Sequence, residues 1–310
     1  MKIGSGTPIT RPYSQIYPEI GGIKMLAATV NIIEFGKLGI GPFEVNRVAF
    51  SIFGMDIYWY AIIITTGLLL AILFASSQAR YAGLTKDNVL DIALIGIPTA
   101  VIGARLFFVL FTLSNYKSFW EVFDIRDGGL AIYGAVIVAF LDGFLYCRCK
   151  KINPFALFDL GALGFLIGQG VGRWGNFMNA EVYGRETDSL FGMTINGNGP
   201  FHPTFLYESV WNALGFLLLF IYFRKFRKHN GEVSSLYFFW YGLGRFFLEG
   251  MRVEEYILKL GDVNIDQLLA AVFAIIGLVA FSVIRFGKFD KKNDIKIISE
   301  KEAEDGEIDE

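Results

Sequence analysis

Only two cysteines, Cys147 and Cys149, occur in 310 residues, and one residue separates them. Such a pair cannot build a disulfide framework, so both are expected as free thiols where an apolar run meets a basic loop. Histidine is equally scarce. His202 and His229 lie far from the cysteines and no second pair exists, so the ligand set of a zinc site is missing and no metal is expected. The stretch Gly170-x-Gly172-x-x-Gly175 satisfies a dinucleotide-binding pattern literally, but no strand precedes it and no βαβ unit surrounds it. There is no excess of basic charge, the formal net charge being -2, and no nucleic-acid partner is expected. No internal repeat stands out. A removable signal peptide is not expected either. Met25 to Ile33 is apolar for only nine residues before Glu34, too short to span, with no basic start leading into it and no small-residue cleavage site behind.

What the chain has in quantity is apolar surface: 54% apolar residues, 31 phenylalanines and a mean hydropathy of +0.46. Ordinary soluble domains are more polar. A membrane helix needs ~20 mainly apolar residues, and seven windows qualify, at about 57–78, 89–111, 130–147, 156–173, 204–223, 233–250 and 266–286. The fold class expected is all-α, a polytopic membrane bundle of about seven transmembrane helices with a small outward-facing head. Basic residues set the orientation. Arg80, Lys86, Arg148, Lys150, Lys151, Arg224, Lys225, Arg227, Lys228, Arg285, Lys288, Lys291 and Lys292 fall on one side. Lys117, Arg126, Arg185, Arg252 and Lys259 are spread more thinly on the other. The N-terminus is thus expected outside and the C-terminus in the cytoplasm. Residues 1–47 read as an outward-facing arm near the lipid surface, 48–286 as the membrane domain and 287–310 as a solvated acidic tail. The loop at about 174–203 is rich in turn formers and is the candidate head.

Ionisable side chains in such a bundle are costly, about 2.5–3.5 kcal/mol at mid-membrane on insertion scales, so they face a polar cavity or one another. Here they gather at one depth. Tyr60, Arg105, Tyr133, Arg173 with Asn176, Glu208, and Arg245 with Glu249 fall in the outer parts of six successive spans. Tyr241, Arg245, Glu249 and Arg252 also share one helical face through i, i+4, i+8, i+11 spacing. Taken alone, that face reads equally as a structural Arg–Glu pair with a capping arginine. With Arg173 and Arg105 added, three arginines exceed what Glu249 and Glu208 neutralise, and the surplus points to an anionic ligand. Arginine suits a phosphate because its planar fork donates two parallel hydrogen bonds. A phosphodiester at outer-leaflet depth is a phospholipid headgroup, which enters from the bilayer with no soluble cofactor required. Gly161, Gly164, Gly168 and Gly172 read as close-packing positions of the fourth helix.

The segment GRWGNFMNAEVYG (172–184) resembles the diagnostic motif of the bacterial prolipoprotein diacylglyceryl transferase family. Similar blocks follow in order: IYWYAIIITTG around Tyr60, GARLFFVLF around Arg105, GGLAIYGA at 128–135, HPTFLYES at 202–209 and YGLGRFFLEGMR at 241–252. The resemblance covers about 48–286.

It implies transfer of the diacylglyceryl group of phosphatidylglycerol to the lipobox cysteine thiol of a prolipoprotein, with release of glycerol phosphate, in the bacterial inner membrane. The partners it implies are phosphatidylglycerol, the prolipoprotein signal peptide and membrane lipids. By the same resemblance Arg173 and Arg245 would hold the phosphate, Asn176 and Glu181 would shape the site, and Glu249 would orient an arginine. Tyr60, Arg105, His202 and Tyr241 would join Arg173 and Asn176 in binding the lipid. Where some members of the family carry a histidine base, this chain has Tyr133, a poor base with a pKa of about 10. Tyr133 reads instead as a hydrogen-bond donor, leaving thiol activation to the arginine field or to Glu249. Phe205 stands where glutamine is usual and Gly250 where an aromatic is common. His202 also reads as a loop residue capping the fifth helix, and Tyr60, Trp59 and Trp174 as interfacial anchors. The competing function is a transporter or channel for an anion or anionic lipid. Against it, Asp91, Asp142 and Asp159 lie in the inner halves without continuing the cluster.

Overall fold

A computed structural model of the chain describes residues 30–113, 121–122, 129–253, 259–260, 263–287, 294–295 and 297–299. Lys117, Arg126 and most of the N-terminal arm and acidic tail therefore lie outside the described residues.

Among the described residues seven long helices follow one another: α1 (Trp59–Gln78), α2 (Lys86–Phe111), α3 (Ile132–Lys150), α4 (Pro154–Asn179), α5 (Thr204–Lys225), α6 (Glu232–Glu249) and α7 (Ile265–Phe286). Local chemistry sets several of their starts. Thr85 and Asn88 form a reciprocal capping box before α2, Asn153 caps α4 ahead of Pro154 at its first turn, and Asn264 caps α7 through the amide of Gln267. Each cap satisfies an amide that the helix itself leaves without a partner. Among the described residues six helices are long and apolar enough to cross a membrane, and α6 is not one of them. At 18 residues it is ~27 Å long at 1.5 Å per residue, but its polar face lowers its hydropathy. α7 covers it closely: a Cβ on Gly242 would meet the backbone of Ala270 and Ala274, and one on Gly277 that of Ser235 and Phe239. The side chains left exposed on the outside are lipid-compatible, Leu73, Leu94, Phe111 and Ile275 among them. The chain is thus a multi-pass membrane protein.

A second interlock joins α5 to α6. Trp211 and Trp240 stack with ring centroids 4.2 Å apart, and each indole N–H donates to the other residue's carbonyl, at 3.2 and 3.1 Å. Each ring lies in the space a side chain on Gly244 or Gly215 would fill. On α4, Gly172 and Gly175 admit Ile64 and Tyr60 of α1, whereas Gly161 and Gly168 meet no other atoms within Cβ reach. A Cβ on Gly67 of α1 would nevertheless lie 3.5 Å from the Gly168 Cα, so close packing reaches Gly168 as well as Gly172 and leaves out Gly161.

Residues 30–58, expected as an arm and the start of a span, form strands. β1 (Val30–Phe35) and β2 (Ile40–Asn46) join β5 (Met193–Ile195) and β6 (Asn198–Phe201) in a four-stranded sheet of order β2-β1-β5-β6. The head is thus built jointly by the N-terminal segment and the 174–203 loop. Ile33, Phe35, Val45, Met193, Ile195 and Phe205 form its core. β3 (Val48–Ile52) and β4 (Met55–Tyr58) make a separate hairpin leading into α1. Arg47 fastens this base to the bundle by donating two hydrogen bonds, 3.1 and 2.7 Å, to the carbonyl of Asn179. A two-residue hairpin, β7 (Lys259–Leu260) with β8 (Val263–Asn264), precedes α7.

At the opposite end, Asp159 is fully buried, bonded to Arg227 at 3.5 Å and to the amides of Gly231 and Ser234. Glu232, also fully buried, takes Arg285 and the Tyr222 hydroxyl. Ile298 packs into this end and donates its amide to the Arg80 carbonyl. Cys147 is buried and Cys149 exposed.

Candidate active site

The sequence ends the fourth span at 173, but the helix runs to Asn179. The polar residues of its last two turns find partners inside the bundle, so continuing the helix leaves them satisfied. The arginine of this turn, Arg173, reaches α5 and places Nη2 2.5 Å from Glu208 Oε2. Its Nη1 donates to Asn176 Oδ1 at 3.3 Å. From α6, Arg245 Nη1 approaches the same Glu208 oxygen at 3.7 Å, while its Nη2 pairs with Glu249 one turn on. Arg252, just beyond α6, bonds Glu208 Oε1 and Glu249 Oε2, each at 3.5 Å. Three arginines therefore share two carboxylates, one net positive charge within the bonded network. Both acids are almost wholly withdrawn from water, Glu208 3% and Glu249 0% exposed. Removing one partner from a buried ion pair of this kind costs about 3–5 kcal/mol.

A small cavity of about 20 Å³ opens on this network, room for one water-sized group. Arg173, Glu208, Tyr241, Arg245, Asn212 and Gln169 give it its polar lining. Beside it, sharing Trp211, Gly244 and Leu248, runs an apolar cleft of about 330 Å³ completed by Tyr207, Phe247 and Met251. The site is polar at the arginines and apolar in the adjoining cleft.

The structure brings Arg173, Asn176, Tyr241, Arg245 and Glu249 together. Tyr133, at the start of α3, lies within electrostatic range of Tyr241, Arg245 and Glu249. Glu181 stands one bond behind: its Oε1 accepts the amides of Asn176 and Asn179, both at 3.1 Å, holding the end of α4. Tyr60 lays its ring on Gly175, two residues from Arg173.

Two expected members sit elsewhere. Arg105 does not face Arg173 and Arg245 in a ring; its guanidinium donates to the carbonyls of Glu121, Val122 and Gly129, tying down the loop between α2 and α3. Backbone carbonyls accept its N–H groups there. His202 lies in the seam between head and bundle, its backbone paired with Gly184 and Arg185 and its Nδ1 3.3 Å from the Tyr207 hydroxyl. Burial pushes its imidazole below the usual histidine range. Pro203, not His202, takes the N-cap position of α5. Conversely, Glu208 and Arg252 join the site from positions where the sequence predicts only a neutralising acid and a capping arginine, Arg252 on the Tyr241 face and Glu208 within HPTFLYES. Phe205, in place of glutamine, packs on Phe177 and Trp174 at 4.8 and 5.4 Å and seals the junction of α4, α5 and head.

The intramembrane acids near the other end do not extend the cluster. Asp142 accepts from Thr99, Asp91 holds the Tyr146 hydroxyl and Lys150, and Asp159 is occupied by Arg227.

The family model described as prolipoprotein diacylglyceryl transferase matches residues 47–283. A phosphatidylglycerol–prolipoprotein diacylglyceryl transferase of Clostridium perfringens is 44% identical over 250 residues, covering 77% of this chain and 94% of that protein. One from Finegoldia magna is 41% identical over 235 residues, 76% and 94% of the two chains, and one from Thermotoga maritima 38% over 273 residues, 84% and 92%.

Proposed function

Because this chain belongs to the prolipoprotein diacylglyceryl transferase family, we propose that Arg173 and Arg245 hold the phosphate of phosphatidylglycerol while the diacylglyceryl group moves to a lipobox cysteine. The chain is a transferase acting in the first step of lipoprotein maturation, and phosphatidylglycerol and a prolipoprotein are its substrates. The observation that carries the site reading is the convergence of Arg173 and Arg245, from separate helices, on a single carboxylate oxygen beside a cavity. Two guanidinium groups aimed at one oxygen are arranged to receive a phosphodiester.

In chemical terms the cysteine sulfur displaces phosphate at the glycerol carbon, and negative charge grows on the departing phosphate oxygen. Fixed cations in a water-poor site stabilise that charge without reorganising. Arg173 and Arg245 fill this role, with Glu249 and Arg252 bracing them. Asn176, Glu181 and Tyr241 shape the headgroup pocket, and Tyr133 supplies a hydroxyl donor at its rim. The apolar cleft along Phe247 and Met251 suits hydrocarbon. The head is assigned to the outer face of the bacterial inner membrane and the basic end to the cytoplasm, as the distribution of Arg and Lys favours. A transporter is disfavoured because Asp91, Asp142 and Asp159 are held by local partners and form no track from the cluster.

Labelled phosphatidylglycerol incubated with purified protein and a lipobox peptide tests the reading. Thin-layer separation is expected to find label on the peptide as a thioether; lipid binding without thioether would overturn it.

A further inference from the structure

Glu208 lines the cavity with Arg173, Arg245 and Tyr241, whereas Glu249 is absent from that lining and is fully buried. Its hold on the arginines is complete. Oε2 takes Arg173 and Arg245, and Oε1 takes Arg252. Asn212, the next turn of α5, donates to the Glu208 main-chain carbonyl instead. The groups around it are Arg173 of α4 and Tyr241, Arg245, Glu249 and Arg252 on or just beyond α6. Asp266 of α7 and Tyr133 of α3 lie within electrostatic range of the Arg245–Glu249 pair.

A phosphodiester and a carboxylate compete for the same guanidinium N–H groups. We propose that Glu208 takes the proton of the attacking cysteine thiol, and that the arrival of phosphate on Arg173 and Arg245 frees it to do so. The inference rests on the transfer reaction above. Once phosphate replaces Glu208 on both arginines, the carboxylate keeps Arg252 alone, nearly out of water and next to a second negative charge. The Glu208 Oε2 that had held both arginines is then free to accept a proton, and the thiol supplies one. The step balances. The S–H proton passes to a Glu208 oxygen, the sulfur pair forms the C–S bond at the glycerol carbon, and the C–O bond to phosphate breaks with its pair on the phosphate oxygen. Glycerol phosphate, whose second ionisation falls at about pH 6, carries the proton away, and Glu208 returns to the arginines. Lipid binding thereby switches the base on, so thiol attack follows lipid and never precedes it.

The test uses the purified full-length protein, phosphatidylglycerol in micelles and two lipobox peptides, one with cysteine and one with selenocysteine. A selenol is ionised at neutral pH and needs no base. Glu208→Gln is expected to slow transfer to the cysteine peptide about 100-fold or more beyond any loss it causes with selenocysteine, the usual contribution of a general base. Equal losses on both peptides overturn the proposal, because misplaced arginines would slow both alike. Glu208→Asp, which keeps the charge among the arginines and withdraws the carboxylate by one methylene, gives the same reading if the glutamine variant does not fold. The same split between peptides is expected from it, and an equal loss again overturns the role. Wild-type protein with the selenocysteine peptide reads the transfer itself: no selenoether there would remove the reaction, and the role of Glu208 with it.

Discussion

Two guanidinium groups that share one carboxylate oxygen are coupled, so a change at either arginine repositions the other through Glu208. Losing a preorganised cation at a site of developing negative charge typically costs a factor of about 10²–10³ in rate. Arg245→Ala is therefore expected to lower transfer at least about 100-fold while circular dichroism still reports a folded helical bundle; near-normal turnover would remove Arg245 from the mechanism. For Tyr133→Phe the expectation is a slower reaction with unchanged helix content, and an unchanged rate would reduce Tyr133 to its contact with Phe107. Arg173 and Arg245 were legible in the sequence because an arginine in an apolar run demands a partner. Glu208 was legible as a counter-ion but not as the hub, since only geometry tells which carboxylate two helices share. The position of Arg105 was not legible for the same reason: a sequence does not tell that its guanidinium donates to the carbonyls of its own loop.

Helix contacts set the precision of the site. Gly244 immediately precedes Arg245 and leaves the room that the Trp211 indole occupies, only 2.2 Å from where a Cβ would sit. Overpacking a tight contact costs typically 1–3 kcal/mol, so Gly244→Val is expected to lower the thermal midpoint in detergent by about that free energy and to impair transfer. A variant with wild-type midpoint and rate would show that α5 and α6 tolerate separation. The helices themselves were readable from apolar length, yet the strands before α1 were not. Asn31, Ile33 and Phe35 alternate inward along β1 with Val30, Ile32 and Glu34 outward, a period of two that the apolar run Met25–Ile33 obscured. The extension of α4 to Asn179 was hidden for a related reason. Its last two turns look like loop until Glu208 and Glu181 are known to meet them.

At the scale of the whole molecule, the head sheet and the arginine network occupy one end and the buried Asp159–Arg227 and Glu232–Arg285 pairs the other. The assigned orientation makes a direct prediction. A cysteine placed by Asn198→Cys at the start of β6 should react with a membrane-impermeant thiol reagent in intact spheroplasts, while exposed Cys149 reacts only after lysis; the reverse pattern would invert the orientation. The charge asymmetry needed for this assignment was visible in sequence, whereas the joining of residues 30–46 to a loop about 160 positions later required the fold. The central claim, that phosphatidylglycerol phosphate takes the place of Glu208 on Arg173 and Arg245, is tested most directly by determining the structure of the protein with that lipid bound. The account predicts phosphate oxygens within hydrogen-bond distance of both arginines and the Arg173–Glu208 pair broken. Phosphate bound elsewhere, with that pair intact, would contradict it.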